Sequence, residues 1–227
     1  MQRLEITAFR KISKMIFGFV VLAVSVTLNA QQVDFSKMES LKPRSIGPAN
    51  MSGRVTSIDV VRTQPDVIYA GSASGGLWKS ESGGIAWEPI FDNELPLSIG
   101  AVAVSQKNPD VVWVGTGEGN PRNSLTGGYG VYRSLDAGKT WELMGLEKTR
   151  NVHRIIIHPD DPNTVYIGAI GSPWGDHEER GVFKTTDGGE TWEKVLYVSD
   201  ETGFADLELL PGNPNVVYAA AWKARRT

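Results

Sequence analysis

The feature that most constrains this chain is an eight-residue turn written twice in full, Ser134-Leu-Asp-Ala-Gly-Lys-Thr-Trp141 and Thr185-Thr-Asp-Gly-Gly-Glu-Thr-Trp192, and once in worn form, Ser80-Glu-Ser-Gly-Gly-Ile-Ala-Trp87. In Ser/Thr-x-Asp-x-Gly-x-Thr-Trp a short carboxylate can accept backbone N–H groups of its own turn, and the Gly that follows takes a positive φ without steric cost. Ser134, Asp136, Gly138 and Trp141, with Thr185, Asp187, Gly189 and Trp192, therefore read as structural. Each Asp closes a hairpin, and each Trp opens the next strand and drops its indole into a core. The competing reading is a catalytic or metal-binding aspartate, but a site residue has no need to recur at matched positions.

Fixed distances make this turn part of a repeating unit. From Gly76 to Trp87, Gly130 to Trp141 and Gly181 to Trp192 the offset is 11 each time. From each of those Trp residues to the next aromatic strand centre (Trp113, Tyr166, Tyr218) it is 26, 25 and 26. Only the run from that aromatic to the next Gly varies: 7 residues from Tyr69 to Gly76, 17 from Trp113 to Gly130, 15 from Tyr166 to Gly181. A rigid frame carries one variable loop.

Between the turns the apolar residues alternate or form short β-branched runs closed by Pro, Asn, Asp or Gly, with no helical period. The first unit reads as strands at 54–61, 67–70, 77–80 and 87–91, the second at 101–105, 111–115, 131–134 and 141–144, and the third at 154–158, 165–169, 182–185 and 192–198. Units of about 50 residues with four short strands predict an all-β chain of β-propeller blades, an architecture that circles to manage its sheet edges. Residues 41–46 read as a lone outer strand, and 205–210 with 215–222 as the first two strands of a fourth unit. Three full blades fall below the usual four to eight. The expectation is an incomplete arc over 41–227, the amino-terminal part of a longer protein whose remaining blades would close it.

The first 30 residues read differently. Arg3, Arg10, Lys11 and Lys14 precede an apolar run from Met15 to Leu28, followed by Asn29-Ala30. That is the layout of a signal peptide and is short for a membrane span, with an uncleaved anchor as the alternative. Residues 31–40 form a polar leader. Cleavage after Ala30 leaves 19 basic and 25 acidic residues, a net charge of −6. This disfavours nucleic acid and anionic membranes as partners. The chain has no Cys, which excludes a lipoprotein anchor and disulfides alike. The expected location is periplasmic, cell-surface or secreted, with no membrane span in the mature chain.

Asn50-Met-Ser-Gly-Arg-Val55, Tyr69-Ala-Gly71, Gly75-Gly-Leu-Trp-Lys-Ser80, Gly117-Glu-Gly-Asn-Pro-Arg-Asn-Ser124 and Gly130-Val-Tyr-Arg-Ser134, together with the repeated turns, carry a resemblance. The chain resembles bacterial exported proteins with a sortilin-type N-terminal propeller. More distantly it is similar to xyloglucanase-type glycoside hydrolases and to the BNR, or Asp-box, repeats of sialidases. Such propellers host hydrolases, lectins and peptide receptors alike, so the resemblance implies a fold rather than an activity.

With strands A to D running outward in each blade, the box turn between C and D lies on one face, and the B–C and D–A loops lie on the other. Both long variable loops share that second face. Blade two supplies Glu118, Asn120, Arg122, Asn123 and Tyr129; blade three supplies Trp174, Asp176, His177, Glu178 and Arg180. Polar loops holding an aromatic on a rigid scaffold suit a ligand, and Arg122, Tyr129, Trp174 and Arg180 are expected to converge near Glu118 and Glu178. The alternative is that Arg122 and Arg180 pair with carboxylates and merely tie loops between blades.

Catalysis asks for a sharper pattern. The resemblance to xyloglucanases implies a carboxylate in an early Tyr-Ala-Arg-Thr-Asp-x-Gly-Gly motif, but here the stretch is Tyr69-Ala-Gly-Ser-Ala-Ser-Gly-Gly76, with Ala73 at the acid position. Lys42-Pro-Arg-Ser45 is a poor match to a sialidase Phe-Arg-Ile-Pro. Asp176, His177 and Glu178 are consecutive and cannot readily converge on one metal ion; no cofactor signal is present. The reading is a non-catalytic exported propeller that binds a peptide, protein or glycan on its loop face. The alternative is a glycosidase-like hydrolase completed by further blades.

Overall fold

The computed structural model describes residues 54–120 and 122–226. The signal peptide, the polar leader and the outer strand expected at 41–46 fall outside the described residues. Among the described residues fourteen strands follow one another, with a 3-10 turn at Glu147–Thr149. β1 (Val55–Val60), β2 (Ile68–Ser72), β3 (Leu77–Ser80) and β4 (Glu88–Pro89) make blade one. β5 (Ile99–Val104), β6 (Val112–Thr116), β7 (Val131–Ser134) and β8 (Glu142–Leu143) make blade two. β9 (Val152–Ile157), β10 (Val165–Ala169), β11 (Gly181–Thr185) and β12 (Glu193–Leu196) make blade three. β13 (Thr202–Leu210) and β14 (Asn213–Lys223) form a two-stranded fourth sheet.

All pairings are antiparallel and sequential, so each blade is a meander. The all-β, incomplete-propeller expectation holds. The outermost strands are shorter than expected, two residues in β4 and β8 and four in β12, whereas the innermost strands β1, β5 and β9, also paired on one side only, keep six residues each because they pack against the innermost strand of the next blade. The fourth hairpin is longer than expected and turns tightly through Pro211-Gly212, with Gly212 at φ 82°.

The core lies between blades rather than within one. Tyr69, Leu77 and Phe91 of blade one pack with Val102, Val112 and Tyr132 of blade two. Trp113, Val131 and Met144 of blade two pack with Val152, Ile167 and Phe183 of blade three. Tyr166 and Val182 meet Phe204 and Leu207 of the fourth sheet. Strands β6 and β10 are buried along their whole length, as expected of strands covered on both faces.

The three box turns share one geometry. Gly138 N–H donates to Ser134 Oγ at 2.8 Å, Gly189 N–H to Thr185 Oγ1 at 2.9 Å, and Gly84 N–H to Ser80 Oγ at 2.9 Å. The hydroxyl that opens the box is thus a backbone acceptor in its own right, a role the sequence reading gave to Asp alone. Asp136 Oδ1 accepts the N–H groups of Lys139 (3.0 Å) and Thr140 (2.8 Å), and its Oδ2 accepts the Thr140 hydroxyl at 2.7 Å. Asp187 does the same with Thr191. The Thr140 hydroxyl and N–H hold the Asp136 pKa down at about 2, and the hydroxyls of Thr191 and then Thr185 hold that of Asp187 well below the carboxylate range. In the worn turn Ser82 Oγ accepts only the Ala86 N–H from the far side of the turn, at 2.9 Å.

The Trp of each full box bridges a seam between blades. Trp141 Nε1 donates to Ile90 C=O at 2.7 Å and its ring stands edge-on to Phe91; Trp192 Nε1 donates to Met144 C=O at 2.7 Å and stands edge-on to Trp113. Both indoles lie between blades as expected, though half-buried rather than buried. They are tied to the preceding blade, which leaves one edge facing solvent. A Cβ on Gly189 would lie 2.6 Å from Trp113 Cη2, so the box glycine also permits its turn to press on that ring.

Candidate functional site

The box turn of each blade bonds the A–B turn beside it: Gly83 N–H to Asp66 C=O (3.0 Å), Ala137 N–H to Asp110 C=O (2.9 Å) and Gly188 N–H to Asn163 C=O (3.0 Å). The opposite face is made by the B–C and D–A loops. Gly76 N–H bonds Leu97 C=O, Gly117 N–H bonds Ser98 C=O, Gly128 N–H bonds Arg150 C=O, Ile170 N–H bonds Asn151 C=O and His177 N–H bonds Asp200 C=O, all between 2.6 and 2.9 Å. The variable loops do share one face, and each is laced to the connections flanking its blade. The approach is close at Gly117 (φ 86°), where a Cβ would fall 1.9 Å from Arg150 C=O.

In blade two, Glu118 is only 1% exposed. Its Oε1 accepts Arg54 Nε at 3.0 Å and also Arg54 Nη2, while its own C=O accepts Asn151 Nδ2. The Glu118 N–H donates to Thr126 C=O and to Ser98 Oγ, each at 3.1 Å. One buried residue thereby joins three blades, its carboxylate to blade one through Arg54 and its backbone C=O to blade three through Asn151, and Arg54, whose side chain is 38% exposed, lids it from solvent. His153 lies beside this cluster, its pKa lowered chiefly by burial. Arg122, Asn123 and Tyr129 are exposed and Asn120 is half-buried.

In blade three, Arg180 is fully buried, and among the described residues its guanidinium bonds carbonyl oxygens rather than a carboxylate. Nη1 donates to Glu201 C=O at 3.1 Å, and Nη2 to Ser172 C=O at 2.5 Å and Gly175 C=O at 3.1 Å. Burial lowers its pKa. Arg180 therefore ties loops through carbonyl oxygens, and it does not face solvent as the convergence expectation required. Trp174 is 57% exposed above it. Asp176 is exposed and pairs with Arg225 at 2.9 Å. His177 is half-buried, with its pKa lowered by burial first and by Arg180 next. Glu178 is exposed, and its C=O accepts Lys194 Nζ at 2.6 Å.

Of the residues singled out from sequence, the structure links Asn123 and Trp174 across the blade boundary through Arg226, which bonds Asn123 Oδ1 at 2.5 Å and lies 5.9 Å from the Trp174 ring centroid. Glu118 and Arg180 lie beneath that surface. Among the described residues no group of three or more His, Asp and Glu side chains is placed to hold a metal ion. Ala73 is buried, and its N–H donates to the C=O of Arg54 at 2.9 Å, so it contributes backbone only. On the other side, the inner faces of the first strands border a groove of about 510 Å³, where Arg154 pairs with Asp206 and Glu208.

Residues 183–194 match the family model of the BNR/Asp-box repeat. The fold is an Asp-box β-propeller arc. The chain is 27% identical over 177 residues to a probable oligoxyloglucan-reducing end-specific xyloglucanase of Neosartorya fischeri, covering 74% of this chain and 20% of that protein. It is 25% identical over 178 residues to an oligoxyloglucan-reducing end-specific xyloglucanase of Emericella nidulans, covering 75% of this chain and 20% of that one. Among solved structures it resembles an ancestral GH74 enzyme with a TM-score of 0.59 at 23% identity, covering 78% of this chain and 23% of the other. The arc thus spans about a fifth of the length of these curated relatives. The likeness gives weight to the xyloglucanase side of the resemblance.

Sequence reasoning missed Arg54, Asn151, Arg225 and Arg226. Arg54 stood in a quoted motif, yet no local signal could tie it to a carboxylate 64 residues on.

Proposed function

We propose that the protein is a glycosidase-like Asp-box propeller that holds a polysaccharide chain across the B–C and D–A loop face, with a signal peptide that exports it. The observation that carries this reading is the likeness, over about three quarters of the chain, to proteins named xyloglucanases. The loop face supports it physically. It presents an exposed indole and exposed amide and carboxylate groups on loops fixed from below, which suits the alternating apolar faces and hydroxyl rims of sugars.

The described arc supplies binding surface, but no carboxyl at the acid position of the xyloglucanase-like motif; Glu178 and Glu179 remain as loop-face carboxylates. Hydrolysis of a glycosidic bond needs two carboxyls flanking it. Ala73 cannot serve, and Glu118 is occupied by Arg54. The missing acid of a hydrolase would come from blades beyond this arc. Ala73 also favours a second reading, a glycan receptor without hydrolysis. Incubating the full-length protein with tamarind xyloglucan and with barley β-glucan separates the cases. Retardation in affinity electrophoresis with release of reducing ends is expected. Retardation without release would leave the receptor, and neither would remove both.

A further inference from the structure

An exposed tryptophan on a surface loop is ordinarily free to move, but Trp174 is not. Its neighbours are fastened one after another: Ser172 C=O and Gly175 C=O accept the buried Arg180 guanidinium, and Pro173 C=O accepts the Arg226 N–H at 2.8 Å. The Trp174 N–H itself points to Ser172 Oγ at 3.3 Å. The Arg226 side chain then lies over the indole, with its Nη1 on Asn123 Oδ1 of the neighbouring blade. Arg225, one residue earlier, spans Asp176 at 2.9 Å and Glu201 at 2.8 Å. Loops of blades two and three and the segment after β14 converge on one exposed ring.

We propose that Trp174, Asn123 and Asp176 form a stacking subsite for a pyranose ring of a polysaccharide, and that Arg226 is the positioning residue that presets it. The proposal rests on the polysaccharide reading above. A guanidinium over one indole face is a cation–π contact, and the ring's remaining 57% exposure leaves surface for the C–H face of a sugar. Asn123 accepts from Arg226 through Oδ1, which turns its NH2 outward as a donor for a hydroxyl. Asp176 has its charge answered by Arg225, so its remaining lone pairs can accept a hydroxyl without placing a bare anion beside the sugar. Holding the indole in advance removes the ordering cost that a mobile aromatic would meet on binding.

The test uses the full-length protein, a xyloglucan heptasaccharide as probe in calorimetry, and 5-fluorotryptophan labelling with the Trp174 resonance assigned by Trp174→Phe. Trp174→Ala is expected to weaken binding about tenfold or more, as for an aromatic hot spot. Arg226→Ala is expected to weaken it about threefold to tenfold and, without any sugar present, to broaden or shift the Trp174 resonance, with Arg226→Lys partly restoring both. Trp87→Ala on the box face should leave affinity unchanged. Heptasaccharide affinity that survives Trp174→Ala overturns the subsite and leaves the polysaccharide reading standing. Wild-type protein that binds neither heptasaccharide nor polymer overturns both. An Arg226→Ala variant with native affinity and an unmoved Trp174 resonance overturns the positioning role alone.

Discussion

On the box face three blades solve one problem the same way; on the loop face two blades solve one problem with opposite charges. Each box turn pins itself with a hydroxyl, a carboxylate where present, and a bond to the neighbouring A–B turn. The loop of blade two instead buries a carboxylate, Glu118, against a cation that can still reach water. The loop of blade three buries a cation, Arg180, among carbonyl dipoles alone. The lesson is that the frame requires a buried hydrogen-bonding hub under each long loop and is indifferent to its sign. That leaves the exposed residues above the hub free to serve recognition.

The largest expected effect tests the uniform face. Trp192→Ala should cost about 3 kcal/mol, since the indole bridges two blades and its removal opens a gap beside Trp113. Trp87→Ala should cost about 1 kcal/mol or less, because Trp87 is 38% exposed and its Nε1 bonds only Gly84 of its own turn. Urea unfolding of the full-length protein measures both, and equal losses would dissolve the idea that box tryptophans act as seams.

The two hubs come next. Arg180→Ala should cost about 3 kcal/mol, leaving the Ser172 and Gly175 carbonyls without that donor, while Glu201 C=O keeps the Ala224 N–H, and opening a void beneath Trp174; Glu118→Ala should cost about 2 kcal/mol, since the freed Arg54 can turn to water. The same unfolding series ranks them. A milder Arg180→Ala would mean that carbonyl dipoles are a weaker hub than an ion pair, reversing the comparison.

A smaller gain is expected at Ala137, which sits at φ 57° where the third turn has Gly188 at φ 74°. Ala137→Gly should stabilise by about 0.5–1 kcal/mol by relieving that strain, partly offset by the freer unfolded chain. An unchanged or lowered urea midpoint would show that the turn holds Ala137 without penalty.

The smallest effect is in pH. Asp136 and Asp187 have folded pKa values below the ordinary 3.8, so their contribution is present above that value and is lost as pH falls from about 4 toward 2. Amide protection at Thr140 and Thr191, taken relative to the intrinsic exchange rate at each pH, should fall across that window, and Asp136→Asn should remove this pH dependence of protection at Thr140 alone. Protection there that ignores pH would separate the carboxylates from the stability of their turns.

What the sequence determined by itself is everything whose partners lie close along the chain. The hydroxyl and carboxylate hydrogen bonds inside each box span no more than four residues, so the motif carries its geometry with it, and the constant offset from Gly to Trp carries the hairpin. Strand alternation then fixed the blade order and which loops share a face. Outer strand lengths were overrun, because a strand end depends on what packs against it, and the outer strands lack the neighbour that the innermost strands find in the next blade. Only the tertiary structure decided the roles of the loop residues. Glu118 meets Arg54 across 64 positions and Asn123 meets Arg226 across 103, and Arg180 is buried while Trp174 six residues earlier is exposed. Charge and polarity look the same in sequence whether a side chain faces water or a row of carbonyls. The packing of one blade on the next makes that choice, because the close-packed seam decides which polar groups lose their water and must find a partner inside.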